Sequence, residues 1–513
     1  MTDGSLLIEK LITYAKEFLY LNDSDVTYTR NFLLYALKIE KPYGGAEDLS
    51  CIKKLEVPDV LAEELKNYIS ENKIAGKDDA EIFINGIFGS LTQKPSEINS
   101  FFLTLKEANS TEKALRFLYD LSIKNNYIQK SAIDKNIKWD CLADNNKIEI
   151  TINLSKPEKD NKDIAKLLYK KDVEKYPRCL LCAENEGYSG RADHPSRQNL
   201  RVINFKLDGA DWFLQFSPYQ YYNEHCIVIN KQHIPMVVNE STFKKLIEFV
   251  DLFPNYFIGS NASLPIVGGS ILNHEHYQGG GYEMPMFSAG VLKEFKKENF
   301  KNTEISVLDW FNSCVKLKGR DKDELLQLCN LIYNSWNSYD DESCEIISKT
   351  DDVRHNAITP IVRKAGEAYE AYLILRNNRT NERHKGGIFH AHEQYHNIKK
   401  EGIGLIEAMG LFILPGRLDR QMRVIEEILT GKTDYNPAGI QKEDNDLYVH
   451  GAMIEELAGA NGTHNKEDKA QKLIRDYINN VCKNILINTA VFKLNTDAGR
   501  TAMEKYLAGI GIY

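Results

Sequence analysis

The chain has 513 residues, 42% of them hydrophobic and 27% charged, with a formal net charge of −8. That length exceeds what one hydrophobic core ordinarily fills, so two or three domains are expected, in a globular rather than a disordered protein. The negative balance excludes a general affinity for nucleic-acid phosphates; any phosphate site must be built from particular residues.

The predicted elements begin with helices. Leu6, Leu7, Leu11, Ile12 and Phe18 recur at helical spacing, as do Leu33, Leu34 and Leu37, and then the stretch from Leu115 to Ile123. The opening segment MTDGSLLIEKLITYAKEFLY is interrupted by Glu and Lys, which suits an amphipathic helix and not a signal peptide. No stretch approaches the ~20 apolar residues that span a bilayer. Nine scattered cysteines suit a reducing cytoplasm better than a disulfide framework. No chemical constellation falls in this region, so a helical extension for packing or assembly is expected.

Near Lys147 the pattern changes. KIEITINL alternates apolar and polar residues as a half-buried strand does, and LRVINF from Leu200, WFLQF from Trp212 and HCIVIN from His225 continue as short strands. TFKKLIEFVDLF reads as a helix capped by Thr242 or Ser241. A second α+β stretch starts near Glu345, with EAYLILRN from Glu370 and GIFHAHEQYH from Gly387 as strands and IGLIEAMGLFIL from Ile403 as a helix stopped at Pro415. From about residue 420 the chain reads helical again. The simplest architecture is a largely antiparallel sheet with helices on one side.

Chemistry concentrates at His274-Glu275-His276-Tyr277-Gln278, between glycines at 268, 269, 279, 280 and 281. On a strand, His274, His276 and Gln278 line one face while Glu275 and Tyr277 line the other. Glycines admit close backbone approach, here to a bulky anion. A neutral imidazole is a nucleophile at pH 7 if its other ring nitrogen is held by a carbonyl, and a glutamine can donate to a phosphate oxygen. The arrangement suits nucleotidyl transfer through His276, with Gln278 as donor. Cys179 and Cys182 form a CxxC that two thiolates could use to grip zinc, with His233 and His274 available to complete a closed, structural tetrahedron; a redox pair is the alternative. His390-Ala391-His392-Glu393-Gln394 repeats the HxHxQ pattern, which suggests a duplicated half-domain.

The segments CLLCAENEGYSGRADHPSRQN, YYNEHCIVIN, GSNASLPIVGGSILNHEHYQGG, HNAITPIVRK, LILRNN and HNIKKEGIGLIEAMGLFILPGRL together resemble the galactose-1-phosphate uridylyltransferases, in particular the longer bacterial branch. The resemblance implies an α+β fold of the histidine-triad superfamily. Two related antiparallel sheet units (141–300 and 301–425) would lie between helical regions at 1–140 and 426–513. It implies UDP-glucose and galactose 1-phosphate as substrates, a uridylylated His276, and zinc on Cys179, Cys182, His233 and His274. Further implied positions are Asn204, Asn261 and Ser270 for the nucleotide, and a second structural metal on His355, His390 and His392. Arg191, Arg197, Lys399, Lys400 and Glu407 are candidates for the sugar phosphate, though each alone also reads as a solvated charge. Glu275 stands where the family has proline, and glycine follows Gln278 where the shorter branch has an aromatic. No nucleic-acid or membrane partner is expected, and a homodimer is left open. The alternatives are a histidine-triad dinucleoside polyphosphate phosphorylase or hydrolase, and a non-enzymatic, metal-stabilised binding protein.

Overall fold

Local turn chemistry sets the first hairpins. Asp144 and Asn145 take φ of 47° and 63° between β1 (Ile137–Ala143) and β2 (Asn146–Asn153). Asp208 and Gly209 take 47° and 75° between β3 (Ile203–Leu207) and β4 (Ala210–Phe216). Two consecutive left-handed residues give a two-residue turn the twist its strands require, and Asp, Asn and Gly tolerate that conformation best. The computed structural model describes residues 3–76, 79–108, 110–155, 176–191, 193–269 and 271–513, and the chain divides into two compact units.

The first unit takes residues up to Lys135, the described part of 159–234, and His274–Gly280. Its sheet runs β3-β4-β5-β7, with β5 at Cys226–Asn230 and β7 at His276–Gly280, antiparallel throughout. On one face Trp212 stacks on Tyr277, ring centroids 4.9 Å apart. The N-terminal helices α1 (Gly4–Phe18), α2 (Val26–Ala36), α3 (Asp59–Glu71), α4 (Ala80–Leu91), α5 (Pro95–Ala108), α6 (Thr111–Lys124) and α7 (Lys130–Ile133) belong to this unit. Leu7, Leu11 and Ile12 are buried in α1, as the helical spacing requires. The helices are tied to the sheet by polar contacts as well as packing. Buried Arg201 donates to the carbonyls of Gly89, Thr92 and Gln93 around the end of α4, and Asn99 of α5 donates to the Val202 carbonyl. Tyr119 of α6 meets Phe216 edge-on at 5.1 Å.

The second unit holds the remaining described residues. β6 (Phe257–Gly259), β13 (Asn356–Ala365), β14 (Ala368–Asn377), β10 (Cys314–Gly319), β9 (Thr303–Leu308) and β8 (Val291–Phe295) follow one another in an antiparallel sheet. The helices Glu240–Leu252 and Lys322–Trp336 bury their apolar stripes in this unit, and Trp336 donates to the Ala357 and Arg376 carbonyls of β13 and β14. A separate sheet orders β1-β2-β15, with β15 (Leu411–Pro415) parallel to β2. The C-terminal helices Arg417–Thr430 and Glu467–Thr489 also lie in this unit, where Asn479 accepts from the Trp139 indole of β1. The folded chain is thus α+β, with helical N- and C-terminal regions.

Three expectations are corrected. The helix Glu240–Leu252 is capped by Asn239, whose side chain accepts from the Thr242 amide while Thr242 returns the bond; Thr242 is the inner partner of a capping box, not the cap. Residues from Gly387 form no strand. Gly387 takes φ +119° and Glu393–Tyr395 closes a 3-10 turn, so the buried run Ile388, Phe389 and Ala391 fills a loop. The segment from Ile403 is a four-residue helix (Leu405–Ala408) followed by β15. Gly410 separates them at φ +95°, where any side chain would strike the Trp310 ring.

Candidate active site and metal centre

The first unit's strands place the chemistry. Across the sheet Asn204 pairs with Phe213, Phe213 with Ile229 and Ile229 with His276, so these four share one row and one face. Gln278 lies on the same face, opposite Ile227, whereas Tyr277 pairs with Val228 on the other. Glu275 belongs with Tyr277: its carboxylate accepts from the Tyr277 hydroxyl at 3.0 Å and from the Asn230 amide at 2.8 Å. Having glutamate between the two histidines therefore leaves the His276 face undisturbed.

His276 is 5% exposed. Its Nδ1 lies 2.8 Å from the His274 carbonyl, which can only accept, so Nδ1 carries the proton and Nε2 keeps a lone pair. Among the described residues Nε2 has no hydrogen-bond partner. Burial lowers the pKa of the ring, with the bond to the His274 carbonyl pulling the other way, so the imidazole is neutral near pH 7. Gln278 turns its Oε1 to His225 Nε2 at 3.1 Å.

Two residues earlier, just before β7, His274 Nε2 donates to the Asn230 carbonyl at 2.8 Å, which frees Nδ1 as a ligand. That Nδ1 lies 3.2 Å from Cys179 Sγ and 3.9 Å from Cys182 Sγ; the two sulfurs are 3.6 Å apart, and His233 Nδ1 is 3.1 Å from Cys182 Sγ. A tetrahedral ion with bonds of ~2.0–2.3 Å sets its ligand atoms roughly 3.3–3.8 Å apart. The four side chains fit that geometry and could hold a metal. Burial pushes the Cys182 thiol up to about 12, and a bound cation would favour the thiolate instead. Asn185 and His194, not foreseen from the sequence, support the CxxC turn. Asn185 donates to the Cys179 and Cys182 carbonyls and accepts from His194 Nε2 at 2.6 Å.

The remaining candidates are placed differently. Asn204 is exposed, three strands from β7, or about 14 Å at ~4.8 Å per strand, and it bonds to Asn99. Arg191 is paired with Asp193 at 2.6 Å, and Arg197 lies over the Tyr127 ring at 5.6 Å. In the second unit Asn261 is buried and accepts from the Leu405 amide at 2.8 Å. Lys399 is buried against Glu407 at 3.0 Å and the Ile413 carbonyl, while Lys400 is exposed. Ser270 lies outside the described residues. Of the flanking glycines, two answer to packing. A side chain at Gly268 would meet the Ala262 carbonyl at 2.2 Å, and one at Gly280 (φ +155°) the Glu224 carbonyl at 2.5 Å.

The proposed second metal set does not assemble: among the described residues, metal-ligating side chains converge only at Cys179, Cys182, His233 and His274. Both nitrogens of His355 are taken by Asn378 and Thr350. His390 Nε2 accepts from the Ile403 amide, His392 Nε2 donates to the Ile388 carbonyl, and buried Arg376 donates to the Ile403 carbonyl. Burial first, and then the charge of Arg376, push the His390 pKa down to about 4.

Two family models match the chain, the galactose-1-phosphate uridyl transferase N-terminal domain over residues 47–235 and its C-terminal domain over 248–429. The galactose-1-phosphate uridylyltransferase of Caldanaerobacter subterraneus subsp. tengcongensis is 41% identical over 99% of this chain and 98% of its own length. The chain belongs to the galactose-1-phosphate uridyl transferase family. Relatives of the same name from Halalkalibacterium halodurans and Clostridium acetobutylicum are each 39% identical over 98% of both chains. No solved structure matches. The N-terminal family model ends just beyond His233, so it contains three of the four clustered ligands, while His274 and His276 fall in the C-terminal one. No helix among the described residues is long and apolar enough to cross a membrane.

Proposed function

We propose that this enzyme transfers UMP from UDP-glucose to galactose 1-phosphate through a uridylylated His276. The observation that carries the reading is the tautomer: Nδ1–H held by the His274 carbonyl and a bare Nε2 on the face shared with Gln278. Nε2 attacks the α-phosphorus, a P–N bond forms, the bond from that phosphorus to the bridging oxygen breaks, and glucose 1-phosphate leaves with the electron pair. A phosphate oxygen of galactose 1-phosphate then attacks the same phosphorus and the P–N pair returns to the ring, giving UDP-galactose. While the adduct exists the ring is cationic, and the His274 carbonyl, fixed in place, accepts the charged N–H. Gln278 donates to a phosphate oxygen.

Zinc at Cys179, Cys182, His233 and His274 would be structural, with no open position for substrate. It would anchor the residue whose carbonyl sets the His276 tautomer. Family membership and the near-complete overlap with the relatives favour this reading over a dinucleoside polyphosphate phosphorylase.

Isotope exchange tests it. With galactose 1-phosphate absent, labelled glucose 1-phosphate should enter UDP-glucose, because the half-reaction is reversible. Exchange that appears only when galactose 1-phosphate is added would reject a covalent intermediate.

A further inference from the structure

A carboxamide has two ends of similar size and opposite hydrogen-bonding sense, so a glutamine that must donate needs its carbonyl held. His225 stands where it can do this. It immediately precedes β5, on the same face as Ile227, which pairs with Gln278. The ring is 2% exposed, between Tyr221 and Tyr222 at 5.3 and 4.6 Å, and Tyr222 is itself bound to the Gly279 carbonyl at 3.0 Å. The imidazole is thus clamped next to β7, with Nε2 3.1 Å from Gln278 Oε1.

The other nitrogen decides the polarity of that bond. His225 Nδ1 is buried and, among the described residues, has no partner. A proton on Nδ1 would bury an orphaned N–H donor, whereas a bare lone pair there is cheaper. The proton therefore sits on Nε2, and only the carbonyl end of Gln278 can face it. Protonating both nitrogens would orphan a donor as well, and burial pushes this pKa down to about 4, so the ring stays neutral. Gln278 is left with an amide nitrogen that has no partner among the described residues.

We propose that His225 is a positioning residue for uridylyl transfer: it locks the Gln278 carboxamide so that N–H, not C=O, faces the phosphoryl group. The proposal rests on the uridylyl-histidine reading above and adds what makes Gln278 a donor.

The test is single-turnover adduct formation with UDP-glucose, read by intact mass, in wild type, His225→Phe, Gln278→Ala and the double variant. His225→Phe keeps an aromatic ring and loses the donor. It should slow adduct formation roughly tenfold, with the UDP-glucose concentration for half-maximal rate changed less than about threefold. In the Gln278→Ala background the same change should cost less than about twofold. His225→Gln, which keeps an N–H, should recover most of the rate, and His225→Leu replaces the Phe variant if that one does not fold. An unchanged rate in His225→Phe, or the same loss in both backgrounds, would overturn the proposal. A wild-type protein that forms no adduct would overturn the reading beneath it, and this one with it.

Discussion

In the first unit HxHxQ leads into β7: His274 turns one nitrogen to a carbonyl and the other to two cysteines, and His276 is held by the backbone of its i−2 neighbour. In the second unit the same letters, His390 to Gln394, run through a loop and a 3-10 turn. His390 and His392 bond to backbone groups there, and among the described residues no cysteine or third histidine joins them as a ligand set. The difference teaches that the pattern carries no chemistry by itself. Strand alternation puts His276 and Gln278 on one face, and the His274 carbonyl then selects the tautomer.

The largest contrast is in turnover. His276→Ala should lower UDP-galactose formation by at least about 10⁴-fold, as expected for loss of a nucleophile, and His392→Ala by less than about threefold. Equal losses in the two variants would break the distinction. Metal content comes next: Cys182→Ser should release close to one bound metal per chain and lower Tm by roughly 5–10 °C, the shift of ~2–3 kcal/mol in a domain of this size. His390→Gln should leave metal content unchanged by elemental analysis, and loss of metal there would restore a second site.

A further contrast concerns acid. His390 in the second motif and His450 beyond it both have pKa values pushed down to about 4, chiefly by burial. Each stays neutral when folded but takes a proton near 6.5 when unfolded. Their contribution is complete above about pH 6.5 and is lost as the pH falls towards 4, by up to ~1.4 kcal/mol per pH unit for each. The denaturant midpoint should fall between pH 7 and 5, and His450→Gln should flatten that slope. An unaltered slope would show that His450 is not a source.

Much of this site was legible in the sequence because it depends on alternation and ligand spacing. The shared face of His276 and Gln278 and the opposite face of Glu275 follow from period two; CxxC marks Cys179 and Cys182, and His233 and His274 are the available candidates that the resemblance also implies. What stayed hidden depends on contacts between distant segments. His225 sits next to Gln278 only through the register of β5 on β7, and Asn185 supports the CxxC turn by bonds that its position alone does not announce. The helix expected from Ile403 failed for a different reason: its apolar run is broken only by Glu407, and the positive φ at Gly410 divides helix from strand. Lys399 and Arg191 are sugar-phosphate candidates by charge alone, and each carries a carboxylate partner within 3.0 Å that the sequence does not announce.

The central claim is that His276 Nε2 becomes bonded to phosphorus. Incubation with UDP-glucose in the absence of acceptor, then peptide mapping by mass spectrometry under mildly alkaline conditions, should place one UMP on His276 in wild type. Adding galactose 1-phosphate should remove it. A UMP mapped to another residue, or an adduct that persists in His276→Ala, would contradict the account.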